Sequence, residues 1–248
     1  MSIRAITTLL LLALAPLALA SKSSTAANET FNIDSVHSTA IFRVQHLGAG
    51  NFYGRFNELE GTIVWNAEDG PSFDVNIKIE SVDSGNESLD RHLKNADFFD
   101  AKQFPTMTFK STSAKKMGEN WKVMGEMTMH GVTKAVEVDM EFVGRANVGR
   151  GDRVGFETAF TVNRSDFGMK YGVENGSLGD ATKIIVSLEG IKAVFLDLDG
   201  TIYLGGKLID GALEFLDRCD EQGVQRFFLS NNSSRFLVLF SNKFKSSK

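Results

Sequence analysis

Over residues 31–189 apolar side chains recur at every second position. Phe73, Val75, Ile77 and Ile79 alternate with Asp74, Asn76, Lys78 and Glu80, which predicts a strand with one buried and one wet face. Ala40, Phe42, Val44 and His46 share a face against Ile41, Arg43 and Gln45. Val136, Val138, Met140 and Phe142 do so against Glu137, Asp139 and Glu141. The same period runs through Val154, Phe156, Thr158, Phe160 and Val162, and through Ile184, Val186 and Leu188. Weaker stretches lie around Phe52, Gly54 and Phe56, from Ile63 to Trp65, at Met107 and Phe109, and from Val123 to Met129. Short antiparallel strands, about eight to ten in number, separated by turn signals predict an all-β barrel or sandwich.

Residues 81–112 interrupt the alternation. A polar turn at Ser84, Gly85 and Asn86 leads to a short amphipathic piece with Asp90, Arg91 and His92, then to Phe98, Phe99 and Pro105. Strand connections are usually two to five residues, so a link of roughly 20 with its own helix predicts a cap over one end of the sheet. The inward set mixes Phe with Met107, Met127, Met129 and Met140 and with small Ala40, Gly54 and Gly125. A small barrel either fills its interior or holds one ligand, and such a mixture is compatible with a filled core or an elongated apolar cavity.

At Ile191 the period changes. An apolar run to Leu196 is followed by Asp197, Leu198, Asp199, Gly200 and Thr201, a helical pattern from about Gly211 to Gln222, and a second apolar strand over residues 226–229. This is the order of a parallel α/β unit, and two strands with one helix cannot bury their own faces. The expected division is 1–20 export signal, 21–30 polar tether, 31–190 barrel, 191–235 truncated α/β fragment and 236–248 unpatterned tail. Arg4, the apolar stretch 9–19 and the small residues Ala18 and Ala20 form the signal pattern, with cleavage before Ser21 and a periplasmic or secreted product.

Composition sharpens this picture in three ways. The chain has 248 residues with 20 Phe against 3 Tyr and 2 Trp, which favours a dry interior. Its formal net charge of −4 carries no electrostatic footprint for nucleic acid. Its single cysteine, Cys219, excludes an internal disulfide framework. His37, His46, His92 and His130 lack metal-ligand spacing, so no metal site is expected.

Several motifs stand together in one order: Asp34-Ser35-Val36-His37-Ser38, His46-Leu47-Gly48, Asp90-x-His92-Leu93, Phe98-Phe99-Asp100, Phe104-Pro105, His130-Gly131-Val132-Thr133 and Asn163-Arg164-Ser165-Asp166-Phe167-Gly168. They resemble the YceI family of polyisoprenoid-binding proteins. The resemblance implies an exported, lipocalin-like antiparallel barrel with a short helical cap. Its lumen would hold a polyprenyl phosphate or isoprenoid quinone, drawn through transient membrane contact, with no cofactor. Leu89 stands where the family commonly has Arg. Residues expected to line such a lumen are Phe42, Val44, Phe52, Phe56, Ile77, Phe109, Met127, Met140, Phe156 and Phe160. The cap would add Asp90, Arg91 and His92 for a head group and Phe98 and Phe99 as aromatic lining. Each buried CH₂ is worth about 0.8 kcal/mol, so a prenyl chain needs few polar contacts.

Residues 195–202 with Ser230, Asn231 and Asn232 resemble the start of a haloacid dehalogenase-type phosphatase of the nitrophenylphosphatase kind. The resemblance implies Asp197 as nucleophile, Asp199 as acid/base and Ser230 as phosphate holder, working with Mg²⁺. The family's later Lys and distal acidic pair have no counterpart here, so these positions are expected to be vestigial and the chain not to be an enzyme. Two alternatives to lipid binding remain at this stage: a Mg²⁺-dependent phosphatase, and a filled barrel acting through its surface as a stress or interaction module.

Overall fold

A sheet with one apolar face must hide that face, and in this chain it does so by rolling up. The computed structural model describes residues 28–229 apart from 67, 148–150, 199–200, 205–206 and 222–223. The expected export signal, most of the tether, the 236–248 tail, Asp199 and Ser230 lie outside the described residues. The barrel strands are β1 (Glu29–Ile33), β2 (Thr39–His46), β3 (Gly50–Phe56), β4 (Leu59–Trp65), β5 (Ser72–Lys78), β6 (Val82–Asp83), β7 (Thr106–Met117), β8 (Asn120–Met129), β9 (Val132–Asn147), β10 (Asp152–Asn163) and β11 (Ala181–Ile191). The strand pattern begins at Glu29, inside the stretch expected to be tether.

The register reduces these strands to eight staves. β11 pairs with β2 from Ser187↔Thr39 to Lys183↔Arg43 and with β1 at Gly190↔Ile33 and Ile191↔Asn32, so β1 and β2 are one long strand with a kink. In the same way β4 pairs with β1 and β5 while β3 pairs with β2 and β6, making β3–β4 and β5–β6 single kinked staves. The remaining order β5-β7-β8-β9-β10-β11 is sequential, and β11 closes on the first stave. This is an up-and-down antiparallel barrel, which decides between barrel and sandwich.

The kink in the first stave is held on β11. The Asp34 N–H donates to the Glu189 carbonyl (2.8 Å), the Glu189 N–H donates to Ser38 Oγ (3.0 Å), and Arg153 bridges the carboxylates of Asp34 and Glu189. Burial alone would raise the Asp34 pKa, but hydrogen bonds from His37 and Arg153 hold it below its ordinary value.

Two ends of the barrel differ. At one end, Trp65 stacks on Phe142 (5.0 Å) and meets Trp121 edge-on (6.2 Å), while Phe156 sits against Phe73 (5.1 Å), Phe142 (5.5 Å) and Trp65 (5.7 Å). These rings fill the interior. At the other end lie the β2–β3 hairpin, the β8–β9 turn, the loop of residues 164–180 and the 84–105 segment that contains helix α1 (Glu87–Leu93).

Beyond Ile191 one residue, Lys192, separates the barrel from β12 (Ala193–Asp197); β13 (Tyr203–Leu204), β14 (Lys207–Leu208), α2 (Ala212–Glu221) and β15 (Gln225–Leu229) follow. β12 pairs in parallel with β15, and Leu196, Leu198, Ile202, Ala212 and Leu216 form a small core of their own. Among the described residues, Gln225 Oε1 is buried without a hydrogen-bond partner. Cys219 is buried in α2, and burial pushes its thiol pKa up. No described helix is long and apolar enough to cross a membrane.

An ion network staples the filled end. Arg145 takes both oxygens of Glu29 (2.6 and 2.8 Å) and reaches Asp152 (3.0 Å), while Lys192 bonds Glu29 and Asp152; both cations lie 5.5 Å from the Phe31 ring centroid. The Arg145 hydrogen bonds hold the Glu29 pKa at about 2, against an ordinary 4.5. A depressed carboxylate pKa contributes stability in full above the unfolded pKa, and that stability is lost as pH falls through the folded one. With partial screening by solvent, Glu29→Gln should cost about 1–2 kcal/mol at neutral pH. It should also flatten the fall in Tm between pH 4.5 and 2. Superimposable Tm–pH curves for the two proteins would contradict this role.

Candidate functional site

The capped end of the barrel encloses a cavity of about 740 Å³. Its walls are the inward positions of the staves, including Phe42 and Val44 from β2, Phe52 and Phe56 from β3, Phe73, Val75 and Ile77 from β5, Met107 and Phe109 from β7, Met127 from β8, Met140 from β9, Phe160 from β10 and Ile184 from β11. Period-two alternation puts these residues on one face, and closure turns that face inward. Such a volume is typical of a site for one small apolar molecule. The choice between a filled and a hollow barrel therefore has a divided answer: aromatic rings fill one half and the other is open.

Small residues in the wall do not create this space by themselves. A Cβ on Gly54 would lie 2.3 Å from the Phe42 ring, and one on Gly125 would lie 2.4 Å from the Phe109 ring. The two glycines instead let those rings lie flat against the wall.

The cap is built from local turn chemistry. Asn86 caps α1 by accepting from the N–H groups of Ser88 (3.0 Å) and Leu89 (3.1 Å). Asp90 Oδ1 accepts from Ser84 N–H (2.7 Å) and Ser84 Oγ (2.5 Å), folding the polar turn back on the helix. The following turn brings the Phe99 N–H to the Leu93 carbonyl (3.0 Å), with Asp100 at φ 48. This directs Phe98 and Phe99 beneath the helix. Phe99 meets Phe56 edge-on at 5.3 Å and Phe42 at 6.3 Å.

Opposite the cap stands the 164–180 loop, organised by a buried cation. Arg164 donates to the carbonyls of Gly179 (2.9 Å), Met169 (3.1 Å), Tyr171 (2.7 Å) and Leu178 (3.3 Å), and it also borders the cavity. Burial lowers its pKa, partly offset by Asp180. Asp180 in turn accepts from Ser165 N–H (2.9 Å) and Ser165 Oγ (2.7 Å). Cap and loop meet through three rings, His92–Phe98 (4.9 Å), His92–Tyr171 (5.2 Å) and Phe98–Tyr171 (5.0 Å). His130, at φ 52, packs on Phe104 (4.9 Å) and donates from Nδ1 to the Phe167 carbonyl (3.1 Å), joining the base of the cap to the loop.

Phe42, Val44, Phe52, Phe56, Ile77, His92, Phe98, Phe99, Phe109, Met127, Met140 and Phe160 all face the cavity. Three other expected lining residues do not. Phe156 is fully buried in the aromatic plug, because its register on β10 places it below the open half. Asp90 is spent on the Ser84 turn, and Arg91 projects outward with 71% side-chain exposure, 3.9 Å from Glu87 one helical turn back. Neither Asp90 nor Arg91 lines the cavity where a head group would sit. His37 also lies away from the cavity, 2.9 Å from Asp34 Oδ2 at the exposed kink of the first stave.

Several lining residues escaped sequence reasoning. Leu89 and Leu93 form the underside of α1; an i, i+4 apolar pair on a seven-residue helix is a signal that could have found them. Met169, Leu178 and Arg164 come from a loop with no periodicity to read. Polar groups at the cavity, His46, Asn51, His92, Arg164, Tyr171, Ser177 and Thr182, gather at the capped end. Deeper down, the Thr158 hydroxyl is already bonded to the Asp139 carbonyl (2.8 Å).

Asp34, His37 and Glu189 bring ligand atoms within 4.8 Å of one another, but Arg153 already serves both carboxylates. Of the phosphatase-like positions, Asp197 is exposed at the end of β12.

Comparison with known proteins gives two family matches. A YceI-like domain matches residues 31–190, and a haloacid dehalogenase-like hydrolase matches residues 194–247. Protein YceI of Escherichia coli is 33% identical over 187 residues, covering 74% of this chain and 97% of the relative. The crystal structure of the Campylobacter jejuni YCEI protein is similar at 32% identity and a TM-score of 0.54, covering 58% of this chain and 87% of that one. A polyisoprenoid binding domain from Saccharophagus degradans shares the fold at 13% identity and a TM-score of 0.51, covering 67% and 98%.

Removing Arg164 would strand four carbonyls that now share one guanidinium. Arg164→Met should destabilise the protein by about 3 kcal/mol or more and make residues 165–179 the first site of limited proteolysis. Arg164→Lys should recover only part of the loss, since an ammonium cannot span four acceptors in a plane. Equal stability of the Met variant and the parent would contradict the organising role.

Proposed function

The chain belongs to the YceI-like family, and from that premise we propose that it binds an isoprenoid lipid non-covalently, with the apolar tail inside the barrel and the head group at the capped end. The observation that carries the reading is the cavity of about 740 Å³, with its polar groups gathered near the mouth and the deeper Thr158 hydroxyl bonded to the Asp139 carbonyl. A prenyl chain matches this distribution: its methyl-branched units offer nothing to hydrogen-bond, and every CH₂ withdrawn from water contributes about 0.8 kcal/mol. The name of the Saccharophagus degradans structure, a polyisoprenoid binding domain, points to the same ligand class.

The mechanism is sequestration. Binding requires no bond making, so the protein's work is to exclude water along the chain and to control access. Control falls to the 84–104 segment, whose ring contacts with Tyr171 form the latch between cap and loop. The head group, a polyprenyl phosphate or an isoprenoid quinone, would find acceptors and donors among His46, Asn51, His92 and Ser177. Export to the periplasm or beyond belongs to the proposal and rests on the signal pattern of residues 1–20. The proposal gives the phosphatase-like segment no catalytic role: among the described residues it supplies one parallel pair, β12–β15, and one helix, α2, with Asp197 exposed at the end of β12.

Organic extraction of the purified full chain followed by mass spectrometry should recover a prenyl lipid, or the emptied protein should take one up at one per chain. Ile184→Trp, a half-buried lining position on β11, should cut uptake at least tenfold with little loss of stability. Tyr171→Ala should leave affinity nearly unchanged and speed release. A protein that purifies empty and takes up no prenyl lipid would sink the proposal.

A further inference from the structure

The cavity has a floor, and the floor is made of side chains whose size is a choice of this sequence. On the β5 stave Phe73 both lines the cavity and meets Phe156 edge-on at 5.1 Å. Met140 and Thr158, a register pair on β9 and β10, also line this part of the cavity, with Leu188 opposite Phe156 on β11 and Val138 one inward position nearer the cap on β9. Below them Phe156 is fully buried, and Trp65, Trp121 and Phe142 form a contiguous ring stack with it that does not border the cavity. A tail entering from the cap therefore ends against Phe73 and its neighbours.

We infer that this floor is a ruler: it sets the number of isoprene units the protein accepts, with Phe73 and Met140 as the specificity-determining residues. The inference rests on the reading of the lumen as a prenyl site. A dry cavity of 150 Å³ accommodates one benzene ring, so a cavity of about 740 Å³ accommodates on the order of 30 carbons, or about six isoprene units. Affinity rises with each added unit while the tail still finds wall to cover. Once the end reaches the floor, each further unit stays at the mouth in contact with water and adds nothing. Closure of the ring latch over the mouth then works against the surplus length.

The test is competition within a ladder. The full chain is offered an equimolar mixture of all-trans polyprenols of four to ten units, and native mass spectrometry reads the lengths retained. Retention should centre on about six units. Phe73→Ala deepens the floor by a six-carbon ring and should move the centre up by about one unit. Val138→Phe raises the floor and should move it down by a similar step; its opposite sign keeps the test alive if the cavity-creating variant fails to fold. Retention that simply increases with length, or the same centre in both folded variants, would overturn the ruler while leaving the lumen as a prenyl site. Retention of no polyprenol by the parent would overturn the lumen reading and the ruler together.

Discussion

Every feature of the lumen depends on the seam along β11, where the last strand must pair with the first stave for the sheet to have an inside at all. That stave is not straight: it is broken between β1 and β2 by the Asp34–Ser38 turn. A kink at a seam would expose unpaired backbone unless something held both halves on the same partner. Here Glu189 does so, exchanging bonds with Asp34 on one side of the kink and Ser38 on the other, and Arg153 neutralises the two carboxylates that the arrangement brings together. The motif Asp34-Ser35-Val36-His37-Ser38 thus has a structural task, and its histidine serves the turn and not the lumen.

Once the barrel is closed, eight staves fix a radius narrow enough for side chains to fill, and the two ends differ by what they place inside. Tryptophan and phenylalanine pack ring against ring at the far end, and Gly70, at φ 87, lets Trp121 lie over the connection at that end. Toward the cap, phenylalanine is mixed with valine, isoleucine and methionine around open space, and glycines let two of the rings lie against the wall. The interior is then a shaft with a floor. The filled end contributes stability alone, whereas residues of the open end such as Phe42, Phe56 and Phe99 belong to the core and line the cavity at once.

Much of this was legible in the sequence, and the reasons are specific. The alternation from Phe73 to Lys78 is the expected half-buried strand, although Ile79 and Glu80, which continue the pattern, turn off in a 3₁₀ helix. The same period on their own strands gave the lining positions Phe42, Val44, Ile77 and Phe160. Depth along the shaft was not legible. Phe156 and Phe160 alternate identically on β10, yet one belongs to the plug and the other to the cavity, because register against β9 and β11 sets depth and no local pattern encodes it. Asp90 and Arg91 misled for a different reason: charged side chains beside a histidine invite a head-group reading, whereas one caps a turn and the other faces water. Leu89, beneath the helix, and Arg164, wrapped by four carbonyls, show where the cap and loop do their work. Among the described residues, those after Ile191 keep a separate small core and none of them lines the lumen.

The central claim is that a prenyl tail lies inside the capped half of the barrel, end against Phe73 and head at the mouth. A crystal structure of the full chain grown with a polyprenol of about six units tests it most directly. The account predicts continuous density from the Phe73 layer to the space between His92 and Ser177, beneath Leu89 and Phe99. A lumen empty or filled only by water, with the lipid held elsewhere on the surface, would contradict it.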